Sequence, residues 1–385
     1  MMARPPRIAL FAPASPLYVN VLMGLRAGFA ELGVDAHAGW PLPDGRLLTA
    51  FLGNFRPDAI LEINRCRDQI TGCDVRCRHL AWMQDFQYDG QRLLDRFGGS
   101  DLFYFMLPPD IYGIDPATLP AWWYLWPGVN PDIHCPKPTE PLWDLSLIGH
   151  MYPPPPEAVM QAAVEVDGQV VGTFAEFADA FLASPIGYAD IRLGAVHSFL
   201  VDECARRGVM LSPKALDGNA LFLFDEVLLR IKDRRAVADA MLRVSSKVRF
   251  FGNLGWVLWP DYARRYGGEL VDPHDLATAY RSSRLTVNNS AWPLHFRTLD
   301  AMGCGSAVMI NRVCRPDVDE HFHSDFQPGT HYVSYDATDF EDAAARALRD
   351  DAARMRMGAA AAEVIARKHL WRHRAEQILA NLDAL

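Results

Sequence analysis

Cysteine is scarce in this sequence and odd in number. The seven thiols (Cys66, Cys73, Cys77, Cys135, Cys204, Cys304 and Cys314) are spread over 385 residues and do not form a disulfide framework. Cys73 and Cys77 stand four apart, with Cys66 upstream and His79 as the one neighbour able to complete a zinc set. No second pair follows at ligand spacing, so ordinary reduced thiols are expected and no metal. Long apolar runs are also missing: no stretch reaches the roughly 18 residues a membrane span needs. Residues 1–7 lead straight into a short apolar segment, without the core of a signal peptide. The expectation is a soluble, cytoplasmic protein with no integral membrane segment. Charged residues make up only 22% of the chain while 50% is hydrophobic, which excludes wholesale disorder. Positive charge is in deficit: 38 Lys and Arg against 47 Asp and Glu give a net charge of −9. General attraction to nucleic acid is therefore absent and no nucleic-acid partner is expected, although a local basic pocket for a phosphate stays compatible.

What is present is an alternation of strands and helices over a length comfortable for two domains. Residues 7–12 form a continuous apolar run of strand length, followed by a loop with Pro13, Ser15 and Pro16. Val19, Leu22, Met23, Arg26 and Ala30 then recur at helical spacing, Gly33 takes the place of a C-cap, and residues 34–38 read as a second strand. A β-α-β start implies a parallel sheet. Further strands are predicted at 57–62, 78–83, 102–106 and 122–126, giving a doubly wound first domain over residues 1–138. Pro127, Pro131, Pro136, Pro138 and Pro141 mark a linker. The second domain, residues 139–365, opens on a strand at 142–148 and takes a mostly helical insertion around 157–242. It resumes with strands at 248–252, 285–289 and 307–311 and a short extended piece at 268–271. Residues 366–385 read as a helix packing back toward the first domain. No short-period repeat occurs.

The most informative stretch runs from Asp275 to Asn311: helix, strand, polar loop, helix, Gly-x-Gly turn, strand. The loop between Asn288 and Arg297 follows a strand's C-terminal end and precedes a helix N-terminus. Open α/β sheets bind ligands there, and the unpaired N–H groups and helix dipole favour an anion such as a diphosphate. Arg297 at the helix entry adds charge and a two-pronged hydrogen bond. Asp300, one turn in, suits a pair of ribose hydroxyls. Each residue also has a plain structural reading: Gly303 and Gly305 as packing glycines, Asp300 as a helix-start charge, Arg297 as a surface ion pair.

In order and spacing, Arg297-Thr-Leu-Asp300-Ala-Met-Gly303-Cys-Gly305 followed by an apolar strand resembles the bacterial glycosyltransferases with a spore-maturation-type (CgeB-like) C-terminal module, related to the group-1 glycosyltransferases. Asp275-Leu-x-x-x-Tyr280-Arg-Ser-Ser, Phe326-Gln-Pro-Gly329, His369-Leu-Trp371-Arg-His373, Gly128-Val-Asn130-Pro131 and Asp144-Leu-Ser-Leu-Ile-Gly149 resemble further pieces of that family. The resemblance implies GT-B architecture: two Rossmann-like, doubly wound α/β domains facing across a cleft. It implies sugar transfer, as in bacterial glycan biosynthesis, from a nucleotide diphosphate sugar to a glycan, protein or small-molecule hydroxyl in that cleft. The donor falls on the second domain and the acceptor on the first. The donor-binding candidates are Ser15, Gly252, Asn253, Tyr280, Asn288, His295, Arg297 and Asp300. Asp300 stands where the family carries Glu, and Trp292 stands eight positions earlier, where related retaining enzymes carry a first carboxylate.

No metal or other cofactor is expected. The one Asp-x-Asp, Asp317-Val-Asp319, reads as an acidic loop rather than a manganese or magnesium site. The departing diphosphate then needs basic side chains and helix N-termini. Arg297 leads here, with Lys247 and Arg249 as weaker candidates. For the proton of an acceptor hydroxyl, Asp85 stands at a strand's C-terminal end beside Trp82, Phe86 and Tyr88, rings that suit a sugar face. A strand-end Asp is also a common cap or turn residue. Two other readings stay open: a catalytically degenerate GT-B binding or scaffold protein, which Trp292 favours, and a sugar-nucleotide epimerase. The oligomeric state, the base and the sugar are not legible.

Overall fold

The computed structural model describes residues 5–85, 87–88, 91–92, 97–112, 114–166, 168–187, 195–211, 223–290, 292–312 and 316–385. It divides into two compact units. The first takes the chain up to His134, Leu294–Asp300 and Glu363–Leu385; the second takes Cys135–Pro293 and Ala301–Ala362.

The first unit is built on β1 (Arg7–Phe11), β2 (Asp35–Gly39), β3 (Ala59–Ile63) and β4 (Arg78–Met83). A two-residue antiparallel pair follows, β5 (Gln87–Tyr88) with β6 (Gln91–Arg92), and then β7 (Leu102–Phe105) and β8 (Trp122–Tyr124). Six strands pair in parallel in the order β2-β1-β3-β4-β7-β8. Parallel strands covered on both faces read as unbroken apolar runs, and the inner strands β1, β3, β4 and β7 are buried almost throughout, whereas the edge strands β2 and β8 are partly exposed. Ile8, Leu10, Leu61, Leu80, Trp82 and Tyr104 face one core, while Ala9, Phe11 and Ile60 face another under Leu48. Helix Pro16–Glu31 packs on the first core, as does helix Trp371–Asp383 from the far end of the chain. Trp371 is its wedge: a Cβ placed on Gly24 would lie 2.3 Å from the indole, and one on Gly128 2.6 Å. A parallel bridge between Val129 and Leu370 fastens the same segment.

The second unit begins with β9 (Trp143–Ile148). Among the described residues the stretch expected to be mostly helical is so, ending in helix Leu229–Val244, with one departure. It contains helices Phe174–Ala183 and Ala195–Arg206, but also an antiparallel hairpin, β10 (Ala163–Val166) with β11 (Gln169–Thr173). Val164, Val166, Val170 and Val171 favour strand, and Gly168 at φ +80° turns the hairpin. Ala- and Glu-rich surroundings hide this in a composition reading. The accessory region has its own core, with Phe177, Phe181, Phe199 and Phe224 at its centre. The main sheet resumes with β12 (Val248–Phe251), β13 (Ser283–Asn288), β14 (Val308–Asn311) and β15 (Val333–Tyr335), all parallel, in the order β12-β9-β13-β14-β15. The extended piece expected at 268–271 joins no sheet ladder; the region touches the end of β12 through a Phe250–Tyr266 bridge, the Gly252 N–H donating to the Gly268 carbonyl and the Tyr266 hydroxyl donating to the Gly252 carbonyl. Among the described residues no helix is long and apolar enough to cross a membrane.

Candidate functional site

Topology marks one place on each sheet. The chain starts at β1, steps out to β2 and returns past β1 to β3, so the winding reverses between β1 and β3. In the second sheet it starts at β9, steps to β12 and returns to β13, reversing between β9 and β13. Doubly wound sheets bind ligands beyond the strands' carboxyl ends at such reversals, where adjacent loops part.

In the first unit that place holds the segments after β1, β3 and β4. Ser15 is the N-cap residue of helix Pro16–Glu31; it is partly exposed and makes no side-chain capping bond. Asn64, directly after β3, is buried and left-handed at φ +58°. Its amide donates to the Tyr18 hydroxyl at 2.8 Å and to Asp85 Oδ2 at 3.1 Å, and its Oδ1 accepts the N–H groups of Gln84 and Asp85. Asp85 itself is exposed. Of the rings expected beside it, Trp82 is fully buried with its indole N–H on the Leu125 carbonyl, so it is core and not a sugar platform. Phe86 and the Tyr88 side chain lie outside the described residues.

A buried ionic group underlies this edge. Glu62 is gripped by the Arg65 guanidinium at 2.5 and 2.6 Å, and His79 lies between Glu62 and Ser100. Burial alone would raise the Glu62 pKa, but hydrogen bonds from Arg65 and His79 hold it below the usual range. Arg65 also donates to the Pro43 carbonyl and pairs with Asp44, tying the segment after β2 to the end of β3. His79 is thereby engaged away from the cysteines. Burial pushes the Cys66 thiol up to about 12 and that of Cys77 up to about 11. Cys66, Cys73, Cys77, Cys135, Cys204 and Cys304 are free thiols, and Cys314 lies outside the described residues. Among the described residues no three His, Cys, Asp or Glu side chains converge as a metal-holding group.

In the second unit the reversal brings two backbones close. Gly252, at φ +140°, leaves no room for a side chain: a Cβ would lie 2.2 Å from the Gly149 carbonyl oxygen. Asn253 Oδ1 accepts the Met151 N–H at 2.9 Å, so the ends of β9 and β12 are stitched together. Asn288 ends β13, buried, its carbonyl accepting the Tyr335 hydroxyl at 3.0 Å. Asn311, ending β14, clamps Ser290 by accepting its N–H and donating to its carbonyl. Trp292 packs against the accessory core. Tyr280, on helix Pro273–Arg281, has no exposed surface to offer a ligand. Lys247 and Arg249 sit toward the amino end of β12, away from Gly252, with Arg249 over the Trp143 ring at 5.9 Å. They are thus at the wrong edge of the sheet for a ligand at the reversal. Asp317 and Asp319 fall in helix Pro316–His323 rather than a loop, and their side chains lie outside the described residues.

The chain then enters helix Phe296–Gly303. Leu294–Asp300, the approach to this helix and its first five residues, group with the first unit, not with the second as the sequence reading has it. His295 Nδ1 accepts the Arg297 N–H at 3.3 Å and lies 3.5 Å from Arg297 Nε. Asp300 is nearly enclosed, its side chain 15% exposed, with His134 Nδ1 3.4 Å from Oδ1. Burial pushes its carboxyl well above the usual range. His134 and Asn64 are partners that the sequence reading misses. Both act through residues far away in the chain, and the one local signal was an Asn directly following a strand.

Residues 230–380 match the family described as "Glycosyl transferase-like". The second half of the chain carries a glycosyltransferase domain. No curated protein matches the chain. Among solved structures it is similar to a sucrose-phosphate synthase from Thermosynechococcus elongatus, with a TM-score of 0.52 at 15% identity over 98% of both chains. It is also similar to AviGT4, a glycosyltransferase involved in avilamycin A biosynthesis, with a TM-score of 0.50 at 12% identity over 98% of this chain and 96% of that one. At such identity the likeness speaks for fold: two Rossmann-like units of GT-B type. Fold and family match together make the protein a glycosyltransferase.

Proposed function

We propose that the protein transfers a sugar from a nucleotide diphosphate sugar to an acceptor hydroxyl, without a metal. The observation that carries this reading is the overlap of the glycosyltransferase match, residues 230–380, with the segment that leaves β13 at the sheet's reversal and enters the Arg297-bearing helix. Asn288, Gly252 and Asn253 line the donor's approach on the second unit. Arg297, with His295 beside it, meets the charge that builds on the departing diphosphate, and Asp300 receives the ribose. Asp85 belongs to the acceptor side and Ser15 is a donor-binding candidate, both carried by the first unit. Asp85 takes the hydroxyl proton as the oxygen bonds to the anomeric carbon and the bond from that carbon to the diphosphate breaks. The acceptor classes are glycan, protein or small molecule, and the chemistry belongs to the CgeB-like branch of bacterial glycosyltransferases.

A thermal-shift series over UDP, GDP and dTDP tests the donor half, because a ligand of the folded state alone raises its melting temperature. One nucleotide is expected to stabilise the wild type, and Arg297→Ala to abolish that shift. An unchanged shift in the variant removes Arg297 from the site. Trp292, in place of a carboxylate, supports one rival: a binding protein that holds the nucleotide sugar. Slow release of nucleoside diphosphate favours transfer, whereas tight binding without turnover favours the rival.

A further inference from the structure

Asn64 occupies a backbone conformation that a side chain rarely adopts, φ +58°, at the reversal point of the first sheet. Glycine would adopt it at no cost, and asparagine is among the few other residues that do so readily. A residue kept at such a point invites the question of what its side chain does there. Its amide is used to capacity. The NH2 group donates to Tyr18 Oη and to Asp85 Oδ2, while Oδ1 accepts two backbone N–H groups, those of Gln84 and Asp85. These four bonds also fix which way the amide points. Turned over, the NH2 group would face two N–H donors and the oxygen would face a carboxylate. The backbone of Asn64 is anchored in turn, its N–H donating to the Trp82 carbonyl. Asp85 is thus gripped at its N–H and at its carboxylate by one buried side chain, although Asp85 is itself exposed.

We propose that Asn64 is a positioning residue: it holds the Asp85 carboxylate in one orientation at the mouth of the first sheet, ready to receive the acceptor's proton. The inference rests on the reading of Asp85 as the base. Holding a base in place lowers the entropy cost of the proton transfer. The choice of amide over carboxylate follows from the same geometry. Asp at position 64 would set two like charges about 3 Å apart and lose the donor.

The test is Asn64→Gly, since glycine suits the backbone and removes only the side chain. Nucleoside diphosphate release is followed from a panel of UDP-glucose, GDP-mannose and dTDP-rhamnose, with water as acceptor. The variant is expected to keep its fold and its KM for the donor, while kcat falls by about 10- to 100-fold, less than the roughly 100- to 10,000-fold a general base supplies, because a misplaced base keeps part of its effect. In an Asp85→Asn background the same change is expected to cost nothing further, because both substitutions remove one function. Wild-type kcat in Asn64→Gly, or full additivity with Asp85→Asn, overturns the proposal. If Asp85→Asn alone leaves turnover intact, the base assignment fails and this inference with it, whereas nucleotide binding through Arg297 is judged separately by thermal shift. A crystal structure of Asn64→Gly needs no turnover: a displaced or multiple Asp85 carboxylate supports the role, and one unmoved from its wild-type position refutes it.

Discussion

Asp300, enclosed beside His134, shows how one buried carboxyl ties stability to pH. A carboxyl with a pKa raised by burial is stable in its neutral form and strained in its charged one. Its contribution to stability is complete below the unfolded-state pKa, about 3.9, and is lost as pH rises through the higher folded value. Asp300→Asn keeps the shape and removes the charge. It should therefore melt higher than the wild type at neutral and mildly alkaline pH, with the advantage shrinking as pH falls toward the carboxylate range. Melting curves across a pH series check this, and a variant that melts lower than wild type at alkaline pH speaks against it. Residues of this kind were half legible. The spacing of Arg297 and Asp300 stood out because it is local, one helical turn. His134 is 166 positions before Asp300 (300 − 134), and nothing in the intervening chain announces the contact.

Secondary structure was legible where one rule governed it. Strands buried on both faces advertise themselves as apolar runs, and β1, β3, β4, β9, β12, β13 and β14 stand close to where those runs lie. The β10–β11 hairpin was missed because its residues alternate weakly in a helix-rich neighbourhood, and β15 because three residues make no pattern. Helix packing was legible in outline, in the C-terminal helix that returns to the first core, but not in its detail. Gly24 and Gly28 look like weak points in helix Pro16–Glu31, where alanine should be worth about 1 kcal/mol more than glycine. Yet a Cβ on Gly28 would lie 2.6 Å from the Trp371 carbonyl oxygen, a backbone atom that cannot swing aside. Gly28→Ala is accordingly expected to destabilise by about 1–3 kcal/mol, opposite in sign to helix propensity. Urea unfolding gives the answer: a stabilised variant would mean that Trp371 is not seated there.

Each unit closes its core with chain drawn from distant places. The first uses Phe296 from Leu294–Asp300, and Trp371, Ala375 and Ile378 from Glu363–Leu385. A chain ending after residue 362 keeps all six strands of that sheet but uncovers its core beside Gly24, Gly28 and Gly128. It is expected to lose the folded first unit, seen as rapid proteolysis between residues 5 and 134 while the full chain resists. Resistance of the shortened chain in that span would contradict the packing described.

Residue order alone carried the class of fold and the alternation of strand and helix. Both follow from neighbours in the chain, through burial on two faces and glycine and proline at turns. Tertiary structure decided the rest: Asn64 beneath Asp85, His134 beside Asp300, Tyr280 sealed inside and Trp371 between glycines. It also decided that Leu294–Asp300 sides with the first unit. Such contacts join residues tens to hundreds of positions apart, and a pairing across that distance leaves no periodic mark on either segment.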